Sequence, residues 1–520
     1  MRTFNVAGPC IPGEHYMLPP EARQTDVRRL VEQKLYFVLH AARQTGKTTL
    51  LQCLARDLNQ EKKGYALYCT LESLRVITDP VESMRGVMDC LRTAVRMEPS
   101  LKGRPFPIPP TGTLGATALM EGLQDYCAAL DRPLAILFDE VDALVEGPLL
   151  TFLSQLRAGY VGRATAPFPA AVALTGMRDL RDYRARVRAD GSSMGGVSPF
   201  NVIVASLSLR NFTGEEISDL YGQHTLETRQ VFEPGALKLV YEQTLGQPWL
   251  VNAIARECVE KILARDFSRP VTAALVEQAI EALILRRDTH IDSLIERLRE
   301  PRVRRIVEPV LLGGEEILDP MQDDVRHVLD LGLLSAEDGP LRAANPIYRE
   351  VIVRALNWPY QDALAQIPEP PASPLYMKDG RLDMGKLLAG FQSFWRENAE
   401  VWTERFEYKE AAPHLILMAF LQRVVNGGGR VLREYALGLR RMDLLVEYAG
   451  CRYPLEIKLH KGRKTLPEGL KQLAAYLDKV GEKEGWLVIF DRRPGVGWKK
   501  KLYRRAKILP GGRKAHIIGA

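Results

Sequence analysis

Apolar positions along this chain alternate between short unbroken runs and stretches where they return every three or four residues. The first run, Leu35–Leu39, ends in a short loop, after which Leu50, Leu51, Leu54 and Leu58 share one face of a helix. Tyr65–Leu71 reads as a buried strand ending at Glu72, and strand, helix, strand in that order is a right-handed parallel crossover. A helical stretch, the proline-rich loop Gly103–Thr111 and a helix over Leu114–Leu130 follow. Three more apolar strands come next: Leu134–Phe138, Ala170–Thr175 and Phe200–Ala205. Thr213 with Glu216 three residues on makes a capping box for a helix. Gly246-Gln247-Pro248 breaks one helix and starts another, since proline suits a first helical position. The pattern predicts an α/β domain with an open parallel sheet and a helical lid.

The second half has a different rhythm. Helix continues to about Leu298, and Asp323–Leu356 reads as helix, short hairpin, helix, with Leu331–Leu334 and Leu341–Ala343 flanking a Glu-Asp-Gly-Pro turn. That is a winged-helix pattern, and its acidic residues (Asp323, Asp324, Asp330, Glu337, Asp338) favour an internal lid over a DNA contact. Ile367–Pro374 holds four prolines and reads as an extended linker. Beyond it come an aromatic-rich helix over Leu382–Glu404 and a helix over Tyr408–Val425. The glycine turn Gly427–Gly429 leads to a strand, Val431–Leu437, and to the hairpin RRMDLLVEYAG–CRYPLEIKLHKG. A helix over Pro467–Lys479 and a strand over Trp486–Phe490 precede a basic tail. The expected organisation is residues 1–285 as a nucleotide-type domain with lid, 286–357 helical and winged-helix, 358–380 linker, and 381–520 a second α/β domain with the tail.

Composition adds two constraints. The 520 residues are 46% hydrophobic and 26% charged, which fits a globular protein of several domains. No 18-residue apolar run and no signal peptide are evident, so a cytoplasmic protein without membrane partners is expected. The 7 cysteines are scattered and read as thiols of a reducing compartment. The net charge of +7 is unevenly spread: Arg430–Ala520 carries 22 Lys and Arg against 9 Asp and Glu, a net of +13 that leaves the remainder at −6. A basic block of this kind points to a polyanionic partner, DNA ahead of RNA.

The first candidate chemistry lies after the first strand, in LHAARQTGKTT. Strand, phosphate-sized loop and helix give a P-loop, formed by Gln44, Thr45, Gly46, Lys47, Thr48 and Thr49. Its backbone amides and the helix N-terminus would cradle a β-phosphate, Lys47 would reach the β/γ oxygens, and the Thr48 hydroxyl would hold Mg²⁺. Ala41 stands where the first glycine of that pattern belongs. Asp139 and Glu140 end an apolar strand, where ligands bind in an open parallel sheet. Asp139 is expected to hold Mg²⁺ through water and Glu140 to polarise the attacking water. His15, Tyr16 and Arg23 precede the first strand, as part of a base pocket or as packed loop.

LHAARQTGKTT, ILFDEVD, LTGMRDLR, SPFNV…LRNFTGEEI and TLGQPWLV together resemble AAA-like P-loop ATPases of the archaeal-ATPase/STAND type, over roughly Phe4–Leu285. The resemblance implies a polar sensor at Thr175. It also implies a γ-phosphate sensor at Arg178, with Arg181 and Arg184 as further candidates for a finger toward a neighbouring subunit in a homo-oligomer. Pro248 would contact the adenine and couple nucleotide state to the lid.

The second candidate site is Asp443, Glu456 and Lys458. Residues two apart on a strand share a face, so Glu456 and Lys458 project together, and Asp443 on the paired strand joins them. Two hard carboxylates suit Mg²⁺ or Mn²⁺, with Lys458 neutralising developing charge. This D-x₁₂-E-x-K pattern, with its α-β-β-β-α-β order over about Tyr408–Arg493, is similar to the PD-(D/E)XK nuclease superfamily. By that resemblance Asp443, Glu456 and Lys458 are the metal and catalytic trio, Glu410 the helix glutamate and Gln472 a resolvase-type glutamine. Arg441-Met442 departs from the family's proline. The two resemblances together imply an ATPase fused to a metal-dependent endonuclease acting on DNA, with cell defence or mobile-element biology by analogy. The other reading is a nucleotide-dependent switch that binds DNA or a protein through a silent nuclease fold.

Overall fold

The computed structural model describes residues 1–108, 117–176, 202–286, 289–312, 319, 322–337, 339–352, 355–356, 376–405, 412–425, 429–437, 440–460, 462, 464–491, 493 and 495–520. They form two compact units, Met1–Leu294 with Leu318–Tyr348, and Ile295–Ile317 with Arg349–Ala520.

The first unit is built on five parallel strands: β1 (Tyr36–His40), β2 (Tyr65–Thr70), β3 (Leu134–Asp139), β4 (Ala171–Gly176) and β5 (Ile203–Ser208). Their order across the sheet is β2-β3-β4-β1-β5. Tyr36, Phe37, Val38 and Leu39 are all buried, as are all six residues of β3 and of β4. Unbroken apolar runs belong to strands covered on both faces. One cover is made by α1 (Asp26–Glu32) and α2 (Lys47–Glu61), through Val27, Leu30, Leu50, Leu51 and Leu54. The other is made by α3 (Pro80–Met97), α4 (Ala118–Ala129) and α5 (Gly147–Gly162), through Met84, Leu91, Leu119, Leu123 and Phe152. β5 lies at the edge, and it starts three residues later than the sequence pattern suggests.

Four helices complete the lid: α6 (Gly214–Thr228), α7 (Pro234–Thr244), α8 (Pro248–Arg256) and α9 (Ala273–Arg286). The Thr213–Glu216 capping box is made as expected. Asp323–Asp330 is a helix, followed by the two-residue hairpin strands β6 (Leu334–Ser335) and β7 (Arg342–Ala343). The segment 286–357, expected as one domain, is shared between the two units.

In the second unit, Met377–Lys378 (β8) pairs with Arg381–Leu382 (β9), so the expected linker 358–380 ends inside a hairpin. Its proline run lies outside the described residues. The helix Met384–Arg405 buries Phe391, Phe394 and Trp395. The larger sheet contains β10 (Gly429–Leu437), β11 (Arg440–Tyr448), β12 (Cys451–Leu459), β13 (Glu484–Phe490), β14 (Tyr503–Ile508) and β15 (Lys514–Gly519). Their order is β10-β11-β12-β13-β15-β14. β10, β11 and β12 form an antiparallel meander, and β13 returns parallel to β12 after the helix Thr465–Val480.

The basic tail adds two strands to the sheet. β15 lies parallel to β13, pairing Leu487 with Ile517, and β14 pairs antiparallel with β15. Ala515 and Ile517 join Leu473, Leu477, Leu487 and Ile489 in one core. Arg504, Arg505 and Lys507 hide a strand whose neighbour carries the apolar residues.

Ile517 is 4% exposed, so Ile517→Ala is expected to cost about 2–5 kcal/mol, read as a lower urea midpoint for the second unit. A flexible tail would show no change.

Candidate functional site

The phosphate-type loop joins β1 to α2, which starts at Lys47. Its turn is made at Gln44 (φ 57°) and Gly46 (φ 94°), both left-handed. Ala41 is buried and is not among the left-handed residues, so a methyl group costs little where the pattern would have glycine. β1 and β3 do not touch: β4 runs between them, pairing Leu39 with Thr175 on one side and Phe138 with Leu174 on the other. The loop and Asp139 therefore meet across the end of β4. Thr48 Oγ1 donates to Asp139 Oδ2 at 2.7 Å, and the Tyr68 hydroxyl donates to the same oxygen at 3.1 Å. The Glu140 amide donates to Asp139 Oδ1 at 3.0 Å.

Lys47 is buried, with its ammonium on the carbonyls of Ala41 (2.7 Å) and Ala42 (2.9 Å). Burial pushes its pKa below the usual lysine value, opposed by the nearby Asp139 carboxylate. The Thr175 hydroxyl is fully buried beside these groups and has no hydrogen-bond partner among the described residues. Glu140 adopts a left-handed backbone (φ 55°), a strained conformation for a side chain of its size. Its carboxylate meets Arg75 at 3.1 Å. Burial, then Asp142 and Asp139, raise the Glu140 pKa above its ordinary value.

Beside the loop lies a pocket walled by Tyr16, Arg23, Thr45, Phe212, Pro248 and Trp249. Arg23 is buried and donates to the Thr45 carbonyl at 2.8 Å and the Arg210 carbonyl at 2.9 Å, with its guanidinium 4.8 Å from the centre of the Phe212 ring. Burial lowers its pKa to about 10. Pro248 opens α8, and the Gln247 side chain accepts from the Leu250 amide at 2.6 Å. Gly246 is left-handed (φ 74°), and a Cβ there would lie 1.8 Å from the Phe212 carbonyl oxygen. Trp249 donates from Nε1 to the Val6 carbonyl at 2.9 Å and stacks 4.6 Å from His290. His290 shares a short hydrogen bond with the Tyr348 hydroxyl, and burial lowers its pKa to about 3. A Cβ on Gly332 would lie 2.4 Å from Ala42 Cβ, so the turn before β6 closes on the phosphate loop.

Of the residues expected here, Gln44, Thr45, Gly46, Lys47, Thr48, Asp139, Glu140 and Thr175 lie at or just after the C-terminal ends of β1, β3 and β4, and Pro248 lines the adjoining pocket. Thr49 Oγ1 accepts from the Cys10 amide at 3.0 Å, so it ties down the N-terminal segment. Arg178 lies outside the described residues, with Arg181 and Arg184. Tyr68, Arg75, Phe212 and Trp249 carry no local pattern that marks them in the sequence; only their distance from the loop in space does.

In the second unit, Glu456 is 1% exposed and its carboxylate lies 2.7 Å from Lys458 Nζ. β12 and β13 pair Glu456 with Leu487 and Lys458 with Ile489, and those two apolar residues lie beneath the helix Thr465–Val480. Gly469 of that helix lets it approach closely, since a Cβ there would meet Leu487 at 2.8 Å and Lys458 Cγ at 3.4 Å. β11 pairs Leu444 with Leu455, so the backbones of Asp443 and Glu456 come next along the antiparallel ladder. Asp443 is the fourth residue of its strand, where the sequence pattern suggests the first; its backbone alone is described. Glu410 lies outside the described residues, and Gln472 is exposed on its helix. Among the described residues no group of three or more His, Cys, Asp or Glu side chains gathers as a metal site, and no helix is long and apolar enough to cross a membrane.

Residues 28–183 match a protein family described as AAA domain. This part of the chain is an AAA-type P-loop ATPase domain, and its nucleotide is ATP. No curated protein matches the chain. Among solved structures, a Walker-type ATPase of Pyrococcus abyssi is similar at 15% identity and TM-score 0.47, covering 67% of this chain and 99% of that one. The ORC1 protein of Aeropyrum pernix in complex with DNA is similar at 17% identity and TM-score 0.34, covering 68% and 97%. The RuvB Holliday junction branch migration motor of Thermotoga maritima is similar at 12% identity and TM-score 0.33, covering 64% and 91%.

Gly246→Ala is expected to open the junction between the loop at Phe212 and the lid. Left-handed strain of about 1–3 kcal/mol adds to the overlap with the Phe212 carbonyl. The readout is a lower melting temperature that added ATP no longer raises, against a clear rise for the wild type.

Proposed function

We propose that the chain is an ATP-regulated, divalent-metal-dependent nuclease of DNA, in which the AAA-type domain is the switch and the second unit carries the hydrolytic site. The observation that carries this reading is the β11–β12 register. It pairs Leu444 with Leu455, which supports Asp443 and Glu456 as neighbours on adjacent strands, with Lys458 two residues on and 2.7 Å from the Glu456 carboxylate. The meander β10–β12, crossover helix and parallel β13 supply the α-β-β-β-α-β order that the sequence resemblance implies. Asp443 and Glu456 are the proposed hard-oxygen donors, a ligand chemistry that suits Mg²⁺ or Mn²⁺. When bound, the metal supplies Lewis acidity and an activated water. Lys458 offsets charge developing on the phosphate, and Glu410 and Gln472 complete the proposed constellation.

In the switch, Thr48 and Asp139 present a second donor set, 2.7 Å apart, that fits Mg²⁺ beside the triphosphate. Glu140 is the proposed base and Thr175 and Arg178 the proposed sensors, with Arg178 also able to serve a neighbouring copy in a homo-oligomer. The contacts of Pro248, Trp249 and Gly332 around the loop support a pathway from nucleotide to lid and winged-helix segment. The silent-nuclease reading has its own support: Glu456 is 1% exposed and closed off by Lys458.

Supercoiled plasmid separates the two readings. Wild-type protein with Mn²⁺ or Mg²⁺ is expected to nick it, and Asp443→Ala to lose at least about a hundredfold of that rate. Wild type that leaves DNA and RNA intact in every nucleotide state favours the binding switch.

ATP hydrolysis supplies the matching test of Glu140. A base acts only when deprotonated, so hydrolysis is expected to fall as pH drops through the raised Glu140 pKa, above the ordinary carboxylate range. Asp142→Asn removes one charge that raises it and should move this acid limb to lower pH. Glu140→Gln should cost about 10²–10⁴-fold in rate.

A further inference from the structure

We infer that the outer edge of the second sheet, β14 with the helical turn Trp498–Lys501 before it, docks the phosphate backbone of duplex DNA. The inference deepens the nuclease reading and rests on it for the choice of DNA as the polyanion. Residues 498–508 contain Lys499, Lys500, Lys501, Arg504, Arg505 and Lys507 and no acidic residue. β14 is bonded to β15 on one side and ends the sheet on the other. Lys499, Lys500 and every residue from Arg504 to Ile508 are exposed.

The cations are held ready for an outside partner. None of the six meets a carboxylate among the described residues, whereas neighbouring Arg493 is paired with Asp491 and Arg513 with Asp478. Arg504 Nε donates to the neutral Gln392 side chain at 2.7 Å. Lys501 lies 5.4 Å from the Trp498 ring centre and Arg505 lies 5.2 Å from that of Tyr503. Cations braced on aromatic faces lose less freedom on binding. The same bracing occupies the two rings that single-stranded nucleic acid would need for base stacking, which favours a duplex read through its backbone. Charge on an edge strand also discourages pairing with other strands, but that role gives no reason for three consecutive lysines on the preceding turn.

Along the sheet, Arg505 pairs with Ile517, Ile517 with Leu487, and Leu487 with Glu456. Three strand spacings of about 4.8 Å put the Arg505 backbone about 14 Å from that of Glu456. The edge is thus an anchoring surface apart from the carboxylates, on the far flank of the helix Thr465–Val480.

The test is binding of the full chain to a short labelled duplex in EDTA, followed by fluorescence anisotropy across a salt series. Replacing Lys499, Lys500, Arg505 and Lys507 together by Ala is expected to weaken binding at least tenfold. The slope of log affinity against log salt should become shallower by about 3.5, roughly 0.9 for each phosphate no longer neutralised. An unchanged affinity and slope overturns the inference. So does an equal loss when Lys62, Lys63, Lys102 and Lys238 of the first unit are replaced instead. In the wild type, DNA should slow acetylation of Lys499, Lys500 and Lys507, and unchanged rates overturn it without any variant. If the substitutions abolish binding to duplex RNA or phosphatidylserine vesicles but spare DNA, the inference also fails. Because EDTA excludes cleavage, binding through this edge by a protein that never cuts DNA would sink the nuclease reading alone.

Discussion

The hydrogen bond from Thr48 to Asp139 joins two strands that the sheet keeps apart. β4 runs between β1 and β3, so the loop after β1 and the carboxylate after β3 reach each other only across the strand ends. Two-sided burial of β3 and β4 keeps the spacing fixed, because neither strand can shift without breaking a packed core on both faces. The placement of Lys47, Glu140 and the lid follows from it.

Polar groups in such a position must be satisfied, since an unpaired buried charge costs more than the packing around it returns. The first unit meets this with residues remote in sequence. Arg23 bonds two loop carbonyls, Tyr68 supports Asp139, and Arg75 faces Glu140. The N-terminal segment folds on itself at the Thr3–His15 bridge and is tied to the rest by Thr49, Trp249, Gln223 and Glu227. A stretch rich in glycine and proline thereby becomes a wall of the pocket.

What was legible in the sequence follows from this division. Local patterns identified β1, α2 and β3, the loop at Lys47 and the Thr213–Glu216 cap, because each depends on neighbours a few residues away. The partners of Arg23 and Arg75, and the approach of Gly332 to Ala42, depend on chain returns of tens to hundreds of residues, which leave no local mark. β14 and β15 escape a local reading for another reason. Their charge reads as solvated surface, while Ala515 and Ile517 find their apolar partners on the neighbouring strand β13 and on the helix Thr465–Val480, both earlier in the chain. Glu456 and Lys458 were legible as sharing a face, since strand periodicity alone fixes that, whereas Asp443 belongs to another strand and only the pairing register can bring it beside them.

The chain passes from one compact unit to the other at three places: after Leu294, after Ile317 and after Tyr348. Two domains joined by one tether can be traded between genes with a single crossover. Here no single cut parts the units: one between 294 and 348 leaves a piece of one unit on the fragment that carries the other, and one at the proline run divides the second unit itself. Residues 295–317 belong to the second unit and 318–348 to the first, so the two units are expected to be inherited, lost and engineered as a pair.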